Sequence, residues 1–366
     1  MLQLTKKIIE IFKYLSITFA TTIFLLIIGN HLLWFVHIAA RGFYDGPDPR
    51  VSSPVYKNFK GKEQLWEEFL KNQSIFAPYY YWRTKEISGK FYNVSAEGIR
   101  KTIKKPVNGA KKVFLFGGST AWGTGVPDES TIPSIIYKHL GPNFDIINLG
   151  DSGYVSTQEL NYLLERLTNN DIPDIVIFYD GVNDVYAGTY SPAIPRDPQN
   201  MRVRWESNSF NGVFGLLFGV YLQSNYKLLF NKIKNWDNSI EIKIEDNAKK
   251  VISNYEAHIR QVKALEREYG FKSVFFWQPY LFSLTRDVLP YEQEIINKKP
   301  LLAKAMKKSY LIARKQFSNR EKEGIYFLGN ILDKIKEPIY IDWCHLGPNG
   351  NNYVGKKMAE IIKSNT

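Results

Sequence analysis

The stretch KKVFLFGGSTAWG, residues 111–123, carries an apolar run, Val113–Phe116, that stops at two glycines and then presents the hydroxyl of Ser119. Such a run, bounded by glycine, reads as a strand buried on both faces. A strand that ends at Gly-Gly and offers a hydroxyl is either a tight turn or a place where a ligand approaches the backbone. The flanking sequence decides between them.

Downstream, strand and helix patterns alternate. STIPSIIYKHLG (130–141) has helical spacing, with Pro133 near its first turn and Gly141 past its end. FDIINLG (144–150) is a strand, and STQELNYLLERLTNN (156–170) opens as a helix with a Ser/Thr cap and Glu159 at capping-box range. PDIVIFYDG (173–181) and KSVFFWQP (272–279) are strands, as is the shorter GIYFLG (324–329). Helices are predicted around 251–270, 302–317 and 351–364. Short apolar strands alternating with helices predict a three-layer α/β/α fold around a central parallel sheet. Residues 41–110 show aromatic clusters and little periodicity, and read as a connecting segment packed on the main domain, 111–366. Residues 186–246 break the alternation as an insertion. Its apolar core, FNGVFGLLFGVYL (210–222), is too short to cross a membrane. It reads as a packed insertion helix, with a lid or a lipid-resting surface as the alternative.

The N-terminus has a different character. From Tyr14 to Ala40 there is no Asp, Glu, Lys or Arg, enough length for a helix to span a bilayer. A signal peptide's apolar region is shorter, about 7–15 residues, so an uncleaved anchor over 14–40 is expected. Lys6, Lys7 and Lys13 precede it, which keeps residues 1–13 cytoplasmic and places the catalytic domain outside the cytoplasm. Asn30 and His31 within the span have a functional reading, but a helix–helix contact or headgroup depth explains them equally. The formal charge is +12, from 48 basic and 36 acidic residues. That balance favours anionic partners, yet the lysines are scattered and no nucleic-acid-binding motif accompanies them, so nucleic acid is not an expected partner. A single cysteine, Cys344, rules out an internal disulfide framework and multi-cysteine metal sites.

In an open parallel sheet, ligands sit beyond the carboxyl ends of the strands. The loops there hold Ser119, then NLGDSGYVST (148–157) with Gly153, then DGVND (180–184) with Asn183. Just before the last helix, IDWCHLGPNGN (341–351) brings Asp342 and His345. These are the components of acyl transfer. An imidazole titrates near working pH and can take the serine proton. A carboxylate fixes the imidazole's tautomer and stabilises its charged form. Backbone amides and an asparagine side chain can hold an oxyanion. Other readings fit less well. A phosphate loop needs Lys-Ser/Thr after its last glycine, and Gly123 is followed by Thr124. The α/β-hydrolase elbow needs glycine two residues after the serine, where Ala121 stands. Five scattered histidines suggest no metal cluster, and no cofactor or metal is expected. Cys344 is not expected to act as a nucleophile. Asp151 and Asp184 read as solvated or structural, and Asn183 alone could equally shape a turn.

The four blocks FGGSTAWG, NLGDSGYVS, DGVND and DWCH, in that order, resemble the SGNH, or GDSL-like, hydrolases, in particular their membrane-anchored branch. The resemblance covers about residues 111–362, apart from the insertion. It implies Ser119 as nucleophile, His345 as base and Asp342 as its orienting acid. It implies an oxyanion hole from the amides of Ser119 and Gly153 and the side chain of Asn183. In the commonest form of the first block an Asp precedes the serine, where this chain has Gly118. The expected function is a membrane-anchored extracytoplasmic esterase, most simply an O-acetylesterase on an envelope or exported polysaccharide. Acyl transfer, a lipid ester substrate, or a silent glycan-binding scaffold are the alternatives.

Overall fold

A computed structural model describes residues 2–41, 48–190 and 244–365. The chain divides into two compact units, Met1–Gly46 with Met201–Glu241, and Pro47–Asn200 with Ile242–Thr366. In the first, the described part is one helix, α1, Leu2–Arg41. Its Gln3–Gly29 stretch is long and apolar enough to cross a membrane, a test that an N-terminal signal sequence also passes. Leu4, Phe12, Leu15, Phe19, Phe24 and Leu25 are all exposed, an arrangement that water does not favour. The hydroxyls of Thr21 and Thr22 and the Nδ1 of His31 bond carbonyls one turn earlier, those of Ile17, Thr18 and Ile27, so these polar groups are satisfied within the helix.

The second unit carries the alternation read from the sequence. Strands β5 (Lys111–Gly117), β6 (Phe144–Asn148), β7 (Ile175–Asp180), β8 (Lys272–Trp277) and β9 (Ile325–Phe327) form one sheet in the order β6-β5-β7-β8-β9. All four pairings are parallel. Between them run α3 (Ser119–Trp122), α4 (Ile132–Leu140), α5 (Ser156–Thr168), α6 (Val182–Tyr190), α7 (Ile244–Tyr269), α8 (Pro290–Asn297) and α9 (Pro300–Phe317), and the chain closes on α10 (Pro348–Asn365). Helices α4 and α10 pack together on one face; α5, α6, α7 and α9 associate on the other. This is the predicted three-layer α/β/α arrangement. The chain steps from β5 to β6 on one side and from there crosses back to β7 on the other side of β5. Their carboxyl ends therefore flank the crevice where such sheets bind ligands.

Local signals explain most boundaries. Thr131 caps α4, its hydroxyl accepting from Ser134 N–H at 3.3 Å, and Gly141 ends the helix with φ +84°. The start of α5 differs from the expected Ser/Thr cap. The Gln158 carboxamide accepts from Val155 N–H, while the Ser156 hydroxyl donates to Asp184 instead. Ser156 is already the first helical residue, and its hydroxyl and N–H both donate to the buried Asp184 carboxylate, which holds the side chain there. The insertion's reading over 210–222 lies outside the described residues, and its edges are helical: α6 runs on to Tyr190 and α7 starts at Ile244.

Residues 48–110 have more structure than a connection needs. They form α2 (Lys62–Leu70), the hairpin β1–β2 (Ser74–Ala77, Tyr81–Thr84) and the small pair β3–β4 (Ile87–Ser88, Asn93–Val94). Val94 bridges to Arg100 and Arg100 to Asn148, which carries the chain onto the edge of the main sheet at β6. Arg100 is fully buried. Its Nε donates to Asp128 at 2.8 Å, its Nη atoms donate to the carbonyls of Phe91, Trp122, Gly123 and Val126, and its guanidinium lies 4.1 Å from the Tyr92 ring and 4.6 Å from that of Trp122. A buried cation is tolerated only when paired and hydrogen-bonded, and this one is both.

Candidate active site

Ser119 opens α3 immediately beyond β5. Glycine is required just before it. A Cβ built on Gly117 would lie 2.7 Å from both the Tyr179 carbonyl oxygen and the Ala121 Cβ. The Ser119 side chain meets the loop before α10, 226 residues away: His345 Nε2 lies 2.7 Å from Ser119 Oγ. His345 Nδ1 lies 2.7 Å from Asp342 Oδ2. An ionised carboxylate only accepts hydrogen bonds, so Nδ1 carries the proton and Nε2 is left to accept from the serine hydroxyl. Asp342 Oδ1 accepts from the N–H groups of Cys344 (3.0 Å) and His345 (2.9 Å), which closes the Asp-x-x-His turn. Burial opposes the charge on Asp342. The His345 imidazole and these hydrogen bonds outweigh it and hold the carboxyl well below its usual range.

The three expected oxyanion donors come from three elements. The N–H groups of Ser119 and Gly153 have no acceptor among the described residues. Gly153 has φ +80°, a conformation that favours glycine. Asn183 lies in the first turn of α6, and its Nδ2 donates one hydrogen to the Tyr154 carbonyl at 2.8 Å. A turn-shaping asparagine would bond its own neighbourhood; this one reaches across to the Gly153 loop, with a second Nδ2 hydrogen to spare.

Asp151 and Asp184 are both buried, so of their two expected readings the structural one holds. Asp151 accepts from the N–H and hydroxyl of Thr84 (2.6 and 2.8 Å) and from Ser152 N–H. Burial pushes its carboxyl up to about 6. Trp82 Nε1 donates to the Ser152 carbonyl at 3.0 Å. The β1–β2 hairpin thus fastens the loop that presents Gly153. Asp184 accepts from the Ser156 hydroxyl at 2.6 Å and from its N–H at 3.2 Å, tying the start of α5 to the residue after Asn183. Below it lie two more buried acids, Glu159 of α5 and Asp180 at the end of β7; Tyr255 donates to Asp180 at 2.9 Å. Burial pushes Asp180 up to about 7 and Glu159 well above the carboxylate range, so the pair carries at most one charge at neutral pH.

Asp342, Cys344 and His345 bring a carboxylate, a sulfur and an imidazole within 4.8 Å of one another, a composition that could hold a metal. Both imidazole nitrogens are engaged by Ser119 and Asp342, however. Burial, then the Asp342 charge, pushes the Cys344 thiol well up and keeps it protonated, unsuited to ligation or nucleophilic attack. Sequence reasoning missed four contributors. Arg50, whose Nη1 lies 3.8 Å from Asp342 Oδ2, and Thr84 and Trp82 come from the segment without periodicity. Trp343 lies between Asp342 and His345 in the sequence. Its ring stacks on Phe282 (6.2 Å, 13°) and on the exposed Tyr186 (5.9 Å, 24°), which is one helical turn beyond Asn183. Only Trp343 had a signal in the sequence, as an aromatic inside the DWCH block.

No protein-family model matches the chain, and no curated protein matches it. Among solved structures it is similar to the acetyl xylan esterase AlAXEase, at 17% identity and TM-score 0.36, over 69% of this chain and 99% of that one. It is similar to Est24, a carbohydrate acetylesterase from Sinorhizobium meliloti, at 15% identity and TM-score 0.38, over 70% of this chain and 100% of that one. It is also similar to a putative lipolytic protein of the G-D-S-L family from Desulfitobacterium hafniense DCB-2, at 9% identity and TM-score 0.37, over 69% and 99%. At this degree of likeness the chemistry is read from the site itself.

Proposed function

We propose that this chain is a serine esterase of the SGNH type that removes acetyl groups from an envelope or exported polysaccharide, held at the outer face of a membrane by residues 14–40. The observation that carries the reading is the unbroken hydrogen-bond chain Asp342–His345–Ser119, 2.7 Å at each step. In this mechanism Ser119 Oγ attacks the ester carbonyl carbon while its proton passes to His345 Nε2. The negative charge that develops on the carbonyl oxygen is taken up by Ser119 N–H, Gly153 N–H and Asn183 Nδ2–H. Collapse breaks the bond to the leaving alkoxide, which takes the proton from His345. Water then attacks the acyl-serine with the same base, releasing the acid and restoring the hydroxyl. Asp342 keeps the imidazole oriented and stabilises its cationic form without becoming protonated. The stacked Tyr186, Trp343 and Phe282 beside the base favour a carbohydrate, whose rings pack on aromatic faces.

The test is a fluorophosphonate probe on the purified full chain. Labelling should occur at Ser119 and vanish in Ser119→Ala; an intact wild-type chain that stays unlabelled would turn the reading toward a silent scaffold. The location has its own test. A reporter fused after Thr366 that works only outside the cytoplasm should be active, and a cytoplasm-only reporter silent.

A further inference from the structure

We propose that Arg50, fixed in place by Asp48, is a positioning residue that sets the charge balance around the Asp342–His345 pair, and so the pH at which His345 becomes available as a base. The role deepens the esterase reading and rests on it. Arg50 is anchored independently of the site. Its Nε and Nη2 form a two-pronged pair with Asp48 (3.0 and 2.8 Å), and Asp48 Oδ1 also accepts from Arg50 N–H at 2.9 Å. The guanidinium lies 4.0 Å over the Trp66 ring and 5.3 Å from that of Phe69. Two prongs and a stack leave the third nitrogen, Nη1, to face Asp342 Oδ2 at 3.8 Å. That distance is too long for a hydrogen bond and short enough for a charge interaction. The arrangement therefore acts on Asp342 through its field more than through geometry.

The other groups facing this spot do not substitute for Arg50. Tyr56 interacts with both Arg50 and Asp342, but burial raises its hydroxyl far above neutrality and keeps it uncharged. Cys344 is held protonated by burial, and Lys299 acts on Cys344. The line of charges leading to Asp342 is thus Asp48, Arg50 and Asp342, in alternating sign, with His345 at the end; Lys299 acts from the side of Cys344 in wild type and variants alike. Asp48 and Arg50 cancel, so these three groups together present one net negative charge to the imidazole. Removing Arg50 alone would leave two carboxylates facing it. The cationic form of His345 would then gain, and its protonation would move to higher pH. Removing Asp48 as well would restore a single negative charge.

The experiment titrates the imidazole signals of the detergent-solubilised full chain, labelled with 13Cε1-histidine and assigned with His345→Gln, alongside the pH profile of p-nitrophenyl acetate turnover. In Arg50→Gln the His345 midpoint, and the acidic limb of turnover with it, should move to higher pH. In the Asp48→Asn/Arg50→Gln double variant both should return close to the wild-type position. A purely structural Arg50 would lower turnover at every pH and leave the midpoint in place, which overturns the proposal. If Arg50→Gln fails to fold, Arg50→Lys decides. It keeps the charge but loses the fork and the planar stack, so an unmoved midpoint supports the proposal and a moved one overturns it. If the variants shift the midpoint as described while the wild-type chain turns over no ester, the esterase reading fails and the electrostatic role of Arg50 stands.

Discussion

The Asn183 amide occupies the space that a side chain on Gly118 would need: a Cβ built there would lie 2.0 Å from Asn183 Nδ2. Residue 118 thus has no room for a side chain unless Asn183, the proposed oxyanion donor, moves. Gly118→Ala should lower kcat by roughly 10²–10³, the cost of removing one such donor, with little change in KM. Asn183→Ala should do the same, and the double variant should be no worse than either alone. Losses that multiply in the double variant would show that Gly118 and Asn183 act separately.

His345→Ala should reduce ester turnover nearly as much as Ser119→Ala, because the two act as one unit. Asp342→Asn should hurt no more than that, since the carboxylate transfers no proton. The depressed Asp342 carboxyl adds a pH signature. A lowered acid stabilises the fold at pH values above its unfolded value, 3.8, and the contribution is lost as pH falls below it. Melting temperatures measured from pH 6 down to about 3 should therefore fall more steeply in wild type than in Asp342→Asn. Parallel curves would remove the charge from the argument.

Asp180 gives the opposite sign. Its carboxyl is raised to about 7 by burial, so the unfolded chain loses this proton first. Stability tied to it is fully present below 3.8 and declines as pH rises towards 7. Asp180→Asn keeps an acceptor for the Tyr255 hydroxyl and abolishes the titration. Differential scanning at pH 5 and about pH 7.5 should show a drop in wild type that is reduced in Asp180→Asn. An equal drop in both would assign the effect elsewhere, with Asp151 as the next candidate.

Trp343→Ala removes the centre of the aromatic stack without touching the base. On p-nitrophenyl acetate kcat should stay within a few fold of wild type. On an acetylated oligosaccharide KM should rise by about tenfold, from the loss of one stacking contact. Equal effects on both substrates would mean that Trp343 supports the His345 loop and does not read the substrate.

The sheet was legible because each strand is a short apolar run punctuated by glycine or proline, and buried parallel strands need nothing else. Ser119, Gly153, Asn183, Asp342 and His345 were legible for a related reason. Each lies within a few residues of a strand end or helix start, where local sequence determines what the backbone does. Arg50, Trp82 and Thr84 were not. Their partners, Asp342, Ser152 and Asp151, lie some 70 to 290 positions away, and no periodicity marks a residue whose importance is a single distant acceptor. Ser156 shows the same limit in reverse: the local signal for a Ser/Thr cap was overridden by Asp184.

The burial of Arg100 has a consequence for where the protein can be cut. Its guanidinium is the only charged partner that Asp128 has among the described residues, and it fills the space between Tyr92 and Trp122, two residues before Thr124 in the loop that follows Ser119. A shortened chain starting at Lys111 would strand a buried carboxylate, at about 3–5 kcal/mol, and open the face of Trp122 to water. Thr84 would be lost to Asp151 in the same step. A version freed of its N-terminal helix should therefore keep residues 48–110, which belong to the folded unit as much as the strand that leads to Ser119.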